Sequence, residues 1–193
     1  MTTGDVNGDG LSDLFIGNAS SSSGSILYLQ NTAGKMVASN SQPWKSIKAD
    51  VMGSLLFDAD GDNDLDLYIA VGGAEFGWPS ANYKHCLYKN DGKGNFTDNS
   101  TALPNVNTSG SSIAAGDYDN DGDLDIYITN GTAGNFHKRN NGDGTFAENA
   151  AEVGLDYQGN CMGVDVADIN HDGWLDVYIT DLYPSELFLN DGD

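Results

Sequence analysis

Basic residues are scarce in this chain. Eight Lys and Arg stand against 29 Asp and Glu in 193 residues, a formal net charge of −21. Nucleic acid and anionic membrane surfaces repel such a polyanion, so neither is an expected partner, and cations are the natural counter-species. Long apolar runs are missing too, so no membrane-spanning helix is expected. No charged-then-apolar leader follows Met1, which leaves a mature form, a fragment or a cytosolic protein. The two cysteines, Cys86 and Cys161, have neither CxxC nor Cys/His spacing, which excludes a zinc site. They read either as small buried hydrophobes or as one disulfide. His85, His137 and His171 share no register, and GxSxG, P-loop and HExxH patterns are absent. The sequence therefore names no catalytic residue, and no enzyme is expected. Helical periodicity is lacking as well. Glycine is plentiful, 25 residues beside many Asn, Asp and Ser, and 39% of the chain is hydrophobic. That balance describes a turn-rich β protein with a core.

One acidic stretch occurs four times: DVNGDGLSDLFIGN (5–18), DADGDNDLDLYIAV (58–71), DYDNDGDLDIYITN (117–130) and DINHDGWLDVYITD (168–181). A hairpin-like element follows each copy: ILYLQNTAGKM (26–36), CLYKNDGKGNF (86–96), FHKRNNGDGTF (136–146) and LFLNDGD (187–193). Asn, Asp and Gly tolerate the positive φ of tight hairpins. A third element precedes three of the loops (50–58, 110–119 and 161–169). Each unit thus reads strand, acidic loop, strand, connection, strand, tight turn, strand. This predicts an all-β chain of β-propeller blades, four-stranded antiparallel sheets of about 50 residues. The units run over approximately 1–49, 50–108, 109–159 and 160–193 in one repeat domain. The first is expected to lack its opening strand and the last its closing strand. The unfinished sheets would leave unpaired edges, which suits a piece of a longer propeller or blades completed between neighbouring chains.

Numbered from the first Asp, positions 1, 3, 5 and 9 are Asp5, Asn7, Asp9 and Asp13; Asp58, Asp60, Asp62 and Asp66; Asp117, Asp119, Asp121 and Asp125; and Asp168, Asn170, Asp172 and Asp176. Alternate side chains of a tight loop converge on one point. Position 7 (Leu11, Asp64, Asp123, Trp174) varies freely, as expected where the backbone carbonyl is the contribution. Position 6 is Gly10, Gly122 and Gly173, with Asn63 in the second loop, where the chain must bend sharply. Six or so hard oxygen ligands in a flexible loop suit Ca²⁺ better than Mg²⁺, and the absence of His and Cys ligands disfavours zinc and copper. An EF-hand is excluded because its position-12 Glu is replaced by Ile16, Ile69, Ile128 and Ile179, inside strand-like sequence. About four structural Ca²⁺ sites are expected, each tying two strands of one unit together.

The Dx[DN]xDGxxD loop before a strand resembles the FG-GAP (VCBS-type) repeats of the integrin α-subunit propeller and of many secreted bacterial proteins. CMGVDVADINHDGWLDVYITD with LYKNDGKGNF is most similar to the bacterial group found beside ASPIC/UnbV segments. The resemblance covers nearly the whole chain. It implies a β-propeller with Ca²⁺ between strands 1 and 2 of each blade, in a secreted or cell-surface protein serving adhesion or assembly. The chain departs from the pattern in lacking Gly at position 6 of the second loop and in having four units rather than seven.

In such a blade the other face collects Trp44, Phe76, Trp78, Tyr83, Tyr157 and Tyr183. These aromatics either form a face for a protein or glycan ligand or pack between blades. Two functions of different class follow: a binding module, or a structural subunit assembling head-to-tail into an extracellular fibre or sheath. Five sequons, at Asn18, Asn95, Asn99, Asn107 and Asn130, are read as chance in a chain so rich in Asn, Ser and Thr.

Overall fold

A computed structural model describes residues 1–19, 24–39, 42–77, 79–131 and 133–192. The fold is all-β. Four sheets follow one another along the chain, each an antiparallel meander of sequential strands. The first holds β1 (Thr2–Gly4), β2 (Asp13–Ile16), β3 (Ile26–Gln30) and β4 (Met36–Ser39). The second holds β5 (Asp50–Phe57), β6 (Asp66–Gly72), β7 (Cys86–Asn90) and β8 (Phe96–Asp98). The third holds β9 (Gly110–Gly116), β10 (Asp125–Asn130), β11 (Phe136–Asn140) and β12 (Phe146–Glu148), and the fourth β13 (Cys161–Ala167), β14 (Asp176–Asp181) and β15 (Glu186–Phe188). The opening strands β1, β5, β9 and β13 lie side by side, so the sheets stack like blades, although they do not close into a ring.

The expectation that the first unit lacks its opening strand is corrected. Thr2, Thr3 and Gly4 pair with Phe15, Leu14 and Asp13. Three residues are too few to show an alternating pattern, and it is the partner strand that holds them extended.

Burial of each second strand follows from its neighbours. β6 and β10 are buried along their whole length, because a sheet covers each face, and LYIAV and IYI are accordingly near-continuous apolar runs. β14 alternates between buried and exposed, since only one of its faces is covered. Three cores fill the gaps between successive sheets. The first gathers Phe15, Leu27, Leu67, Ile69 and Tyr88 around Trp44, whose ring meets Phe15, Tyr88 and Phe96 edge-on at centroid distances of 5.2, 5.6 and 5.4 Å. The second joins Tyr68 and Leu87 to Ile126 and Ile128, and the third joins Tyr118 and Tyr127 to Val177 and Ile179. Both cysteines are free thiols, Cys161 buried and Cys86 half-buried.

One core position breaks the repeat. The residue opposite the first apolar residue of the second strand is Tyr28, Tyr88 and Phe188 in three units, but Lys138 in the third. Lys138 is fully buried, and its Nζ has no hydrogen-bond partner among the described residues. Burial lowers its pKa to about 8. A folded value below the unfolded one penalises the charged form, so the cost is full at pH 7 and fades as pH rises through 8 toward 10.5. Lys138→Met keeps the unbranched stem and removes the charge. It is expected to raise stability by roughly 1–3 kcal/mol at pH 7, with the gain shrinking at pH 10. Urea unfolding at the two pH values checks this.

Candidate metal centre

Each acidic loop connects the first strand of a sheet to the second, and its position-9 aspartate is the first residue of that second strand. Two left-handed residues curl the loop. Position 6 has φ of +80°, +68°, +99° and +95° at Gly10, Asn63, Gly122 and Gly173. Position 4 is left-handed too, at Gly8, Gly61, Asn120 and His171. The sequence pattern reveals position 6 through its glycines. It hides position 4, where residue type varies.

The curl points main-chain amides inward at the position-1 carboxylate. Asp5 Oδ1 accepts from Gly8 N at 2.8 Å and Oδ2 from Gly10 N at 2.7 Å. Asp58 repeats this with Gly61 and Asn63, at 2.8 and 2.9 Å. Asp117 accepts from Gly122, and Asp168 from Gly173. Position 5 supports position 7 in the same way: Asp9, Asp62, Asp121 and Asp172 accept the amides of Leu11, Asp64, Asp123 and Trp174. Each of these position-5 bonds goes to Oδ1 and leaves the other oxygen of that carboxylate for a further partner.

Position 9 does a different job. Asp13, Asp66, Asp125 and Asp176 are at most 2% exposed. One oxygen of each accepts the position-2 amide, from Val6, Ala59, Tyr118 and Ile169. The other accepts the amide at the end of the third strand or just beyond it, from Gln30, Asn90, Asn140 and Asn190 at 2.7–2.9 Å. A buried carboxylate thus clamps loop, second strand and third strand together.

Oxygens of Asp58, Asp60 and Asp66, and of Asp117, Asp119 and Asp121, lie within 4.8 Å of one another. The first and fourth loops carry Asn at position 3, and there the amide donates to the position-5 carboxylate (Asn7 to Asp9 at 3.2 Å, Asn170 to Asp172 at 2.8 Å). In the second loop Lys89 of β7 bonds Asp60 and reaches Asp62 at 3.3 Å. Asp60 Oδ1 and Asp64 Oδ1 are nevertheless buried without a hydrogen-bond partner among the described residues. Burial raises the pKa of Asp66 to about 6 and that of Asp125 to about 7, with repulsion from Asp60 and Asp64, and from Asp119 and Asp121, adding to it. Burial and like charges raise Asp64 and Asp119 as well. Asp176, whose loop has Asn170 and Trp174 at positions 3 and 7, is instead lowered by its main-chain hydrogen bonds. Carboxylates crowded enough to hold protons, with buried oxygens unpaired, are a donor set that fits a hard divalent cation.

The hairpin turns of the second and third units each pack between two loops. A Cβ on Gly92 or Gly142 would meet Asp64 or Asp123 of its own unit, at 3.3 and 2.5 Å. A Cβ on Gly94 or Gly144 would meet Asn7 or Asp60 of the preceding unit, at 3.7 and 3.1 Å. The Asn before the turn then crosses the junction. Asn90, Asn140 and Asn190 each donate Nδ2 to the position-2 carbonyl of the preceding loop, at Val6, Ala59 and Tyr118 (2.8, 3.1 and 2.8 Å). Sequence reasoning missed these asparagines, although one recurs at this position in three units.

The chain belongs to the FG-GAP-like repeat family. That family's description matches residues 5–69, 76–128 and 123–179, so each of the four loops falls within a match. Over 88 residues the FG-GAP-like chain is 42% identical to cartilage acidic protein 1 of Xenopus tropicalis; the match spans 44% of this chain and 13% of that protein. A Tc holotoxin pore structure of Photorhabdus luminescens aligns with 96% of this chain and 8% of its own, at 20% identity and a TM-score of 0.46.

Of the two readings of the aromatics opposite the loops, packing between sheets holds for Trp44 and Tyr83. Trp44 and Tyr83 are 1% exposed and belong to the first core, against which Phe76 packs half-buried. Tyr83 Oη is committed to the backbone of Gly73 and Phe76. Tyr157 is half-buried against Phe188, Tyr183 is 71% exposed, and Trp78 lies outside the described residues. The connections fold inward because the gap between the first two sheets needs large rings to fill it. Asn18 and Asn130 are buried, which agrees with reading their sequons as chance.

Proposed function

We propose that this FG-GAP-like chain is a calcium-stabilised, non-enzymatic interaction module that works outside the cell. Convergent carboxylates with buried, unpaired oxygens at Asp60 and Asp64 carry this reading. Ca²⁺ would be held by the side chains of positions 1, 3, 5 and 9 and by the position-7 carbonyl of each loop. Its role is structural: it neutralises the loop, and the loop sets the position of the hairpin that staples its unit to the preceding one. Four ions would bring the net charge from −21 to −13. Calcium-rich surroundings outside the cell keep such sites filled. Calorimetric titration is expected to find four ions per chain, with the second and third loops, each carrying five aspartates, filling first. No heat and no uptake would refute the metal reading.

Its expected partners are proteins or glycans rather than polyanions, given the net charge of −21.

A further inference from the structure

The acidity of each loop goes with one residue on a strand across from it. The residue just before Gln30, Asn90, Asn140 and Asn190 is Leu29, Lys89, Arg139 and Leu189. Where it is Leu, loop position 3 is Asn7 or Asn170. Where it is basic, position 3 is Asp60 or Asp119. Two of the chain's eight Lys and Arg residues thus stand beside its two most acidic loops.

The second unit shows what such a residue does. In the first and fourth loops the position-3 amide donates to the free oxygen of position 5, Asn7 Nδ2 to Asp9 Oδ2 at 3.2 Å and Asn170 Nδ2 to Asp172 Oδ2 at 2.8 Å. An ionised Asp60 has no proton to donate. Lys89 takes that place, its Nζ bonded to Asp60 Oδ2 and 3.3 Å from Asp62 Oδ2. Asp62 then has both oxygens engaged, because Oδ1 already accepts the Asp64 amide. Arg139 forms no such ion pair among the described residues. The converging oxygens differ to match. In the third loop they come from positions 1, 3 and 5, Asp121 included. In the second they come from positions 1, 3 and 9, and Asp62, the carboxylate next to Lys89, is left out.

We propose that Lys89 is a tethered counter-cation, whose ammonium group occupies the second loop when calcium is absent and must leave as calcium enters. This rests on the calcium reading of the loops and adds which loop is guarded, and by what. An ammonium and a divalent ion compete for the same carboxylates, and their mutual repulsion grows where the protein screens less than water does. The Lys89 side chain is 42% exposed on a flexible stem, so it swings into solvent without disturbing β7. Lys89 thus keeps the second loop folded without metal and lowers its affinity for calcium. Of the two loops with five aspartates, the third fills ahead of the second.

Calcium titration of the full chain, followed by amide NMR, tests this, since the Gly61 amide reports the second loop and that of Gly122 the third. Lys89→Leu, which installs the residue of the first and fourth units, should tighten binding at Gly61 about tenfold and leave Gly122 within about twofold. Lys89→Arg keeps the charge and should bind no tighter than the wild type. Arg139→Leu, which breaks no ion pair, should change affinity at Gly122 by less than about threefold. Lys89→Leu should also lower the unfolding midpoint in chelator by about 2–4 °C, and leave it unchanged in saturating calcium, where the lysine is already displaced. Equal affinity at Gly61 in wild type and Lys89→Leu, with the midpoint lowered alike in chelator and in calcium, would make Lys89 an ordinary surface ion pair. That result overturns the proposal and leaves the calcium reading standing. No calcium response at either amide, in wild type or variant, would overturn both.

Discussion

Chelation is expected to lower the unfolding midpoint by about 10–20 °C relative to the protein in millimolar calcium. A site saturated 100-fold contributes about 2.7 kcal/mol. For a chain of this size each kcal/mol moves the midpoint about 2–4 °C, so two filled loops already reach that range. The coupling runs through the hairpins. Gly92 and Gly94 rest on the loops of successive units, and Asn90 bridges the two. A loop swollen by its own repulsion therefore loosens a junction as well as a turn. Melting followed by circular dichroism, with calcium, with magnesium and with chelator, gives the measurement. Coincident curves in calcium and chelator would remove the metal from the stability of this fold.

Calcium affinity at the second and third loops is expected to fall as pH drops from 8 to 5, by about 10-fold and 100-fold, while the fourth keeps its affinity. Asp66 and Asp125 hold protons up to about pH 6 and 7 in the metal-free protein, because burial penalises their charge. Each pH unit below such a pKa costs about tenfold in binding to the ionised form. The lowered pKa of Asp176 exempts the fourth loop. For stability the sign is explicit. A carboxyl whose folded pKa lies above its unfolded value makes the metal-free fold less stable as pH rises from about 4 through 7. Buried His85, lowered to about 3, acts oppositely, adding stability as pH rises toward 6.5. The chelated profile is therefore a sum of opposing contributions, and the difference between calcium-loaded and chelated protein isolates the carboxylates. Calorimetry at pH 5 and pH 8 measures the affinities directly. Equal affinities at both would show that these two aspartates are ionised before the metal arrives.

The acidic loops were legible because their chemistry is local. Alternating oxygens, a glycine or asparagine at the left-handed bend and an apolar run behind them fall within about a dozen residues. The ladder of four sheets was legible for the same reason. Other features hung on partners far along the chain. Val6 and Asn90 are 84 residues apart, so nothing local marks the asparagine as a staple. Trp44 and Tyr83 lie in polar connections that left a ligand face and packing between blades both open, and the gap between two sheets takes them in. Lys138 sits in a strand like its counterparts, and only the sheet packed over it makes its charge costly.

The sequence by itself determined the number of units, their strand order and the oxygen-rich turn in each, because backbone conformation and alternation are set by neighbouring residues. Tertiary structure alone decided which faces are covered and that position 9 is a buried clamp. Burial is a property of whatever packs alongside, and that includes residues far along the chain.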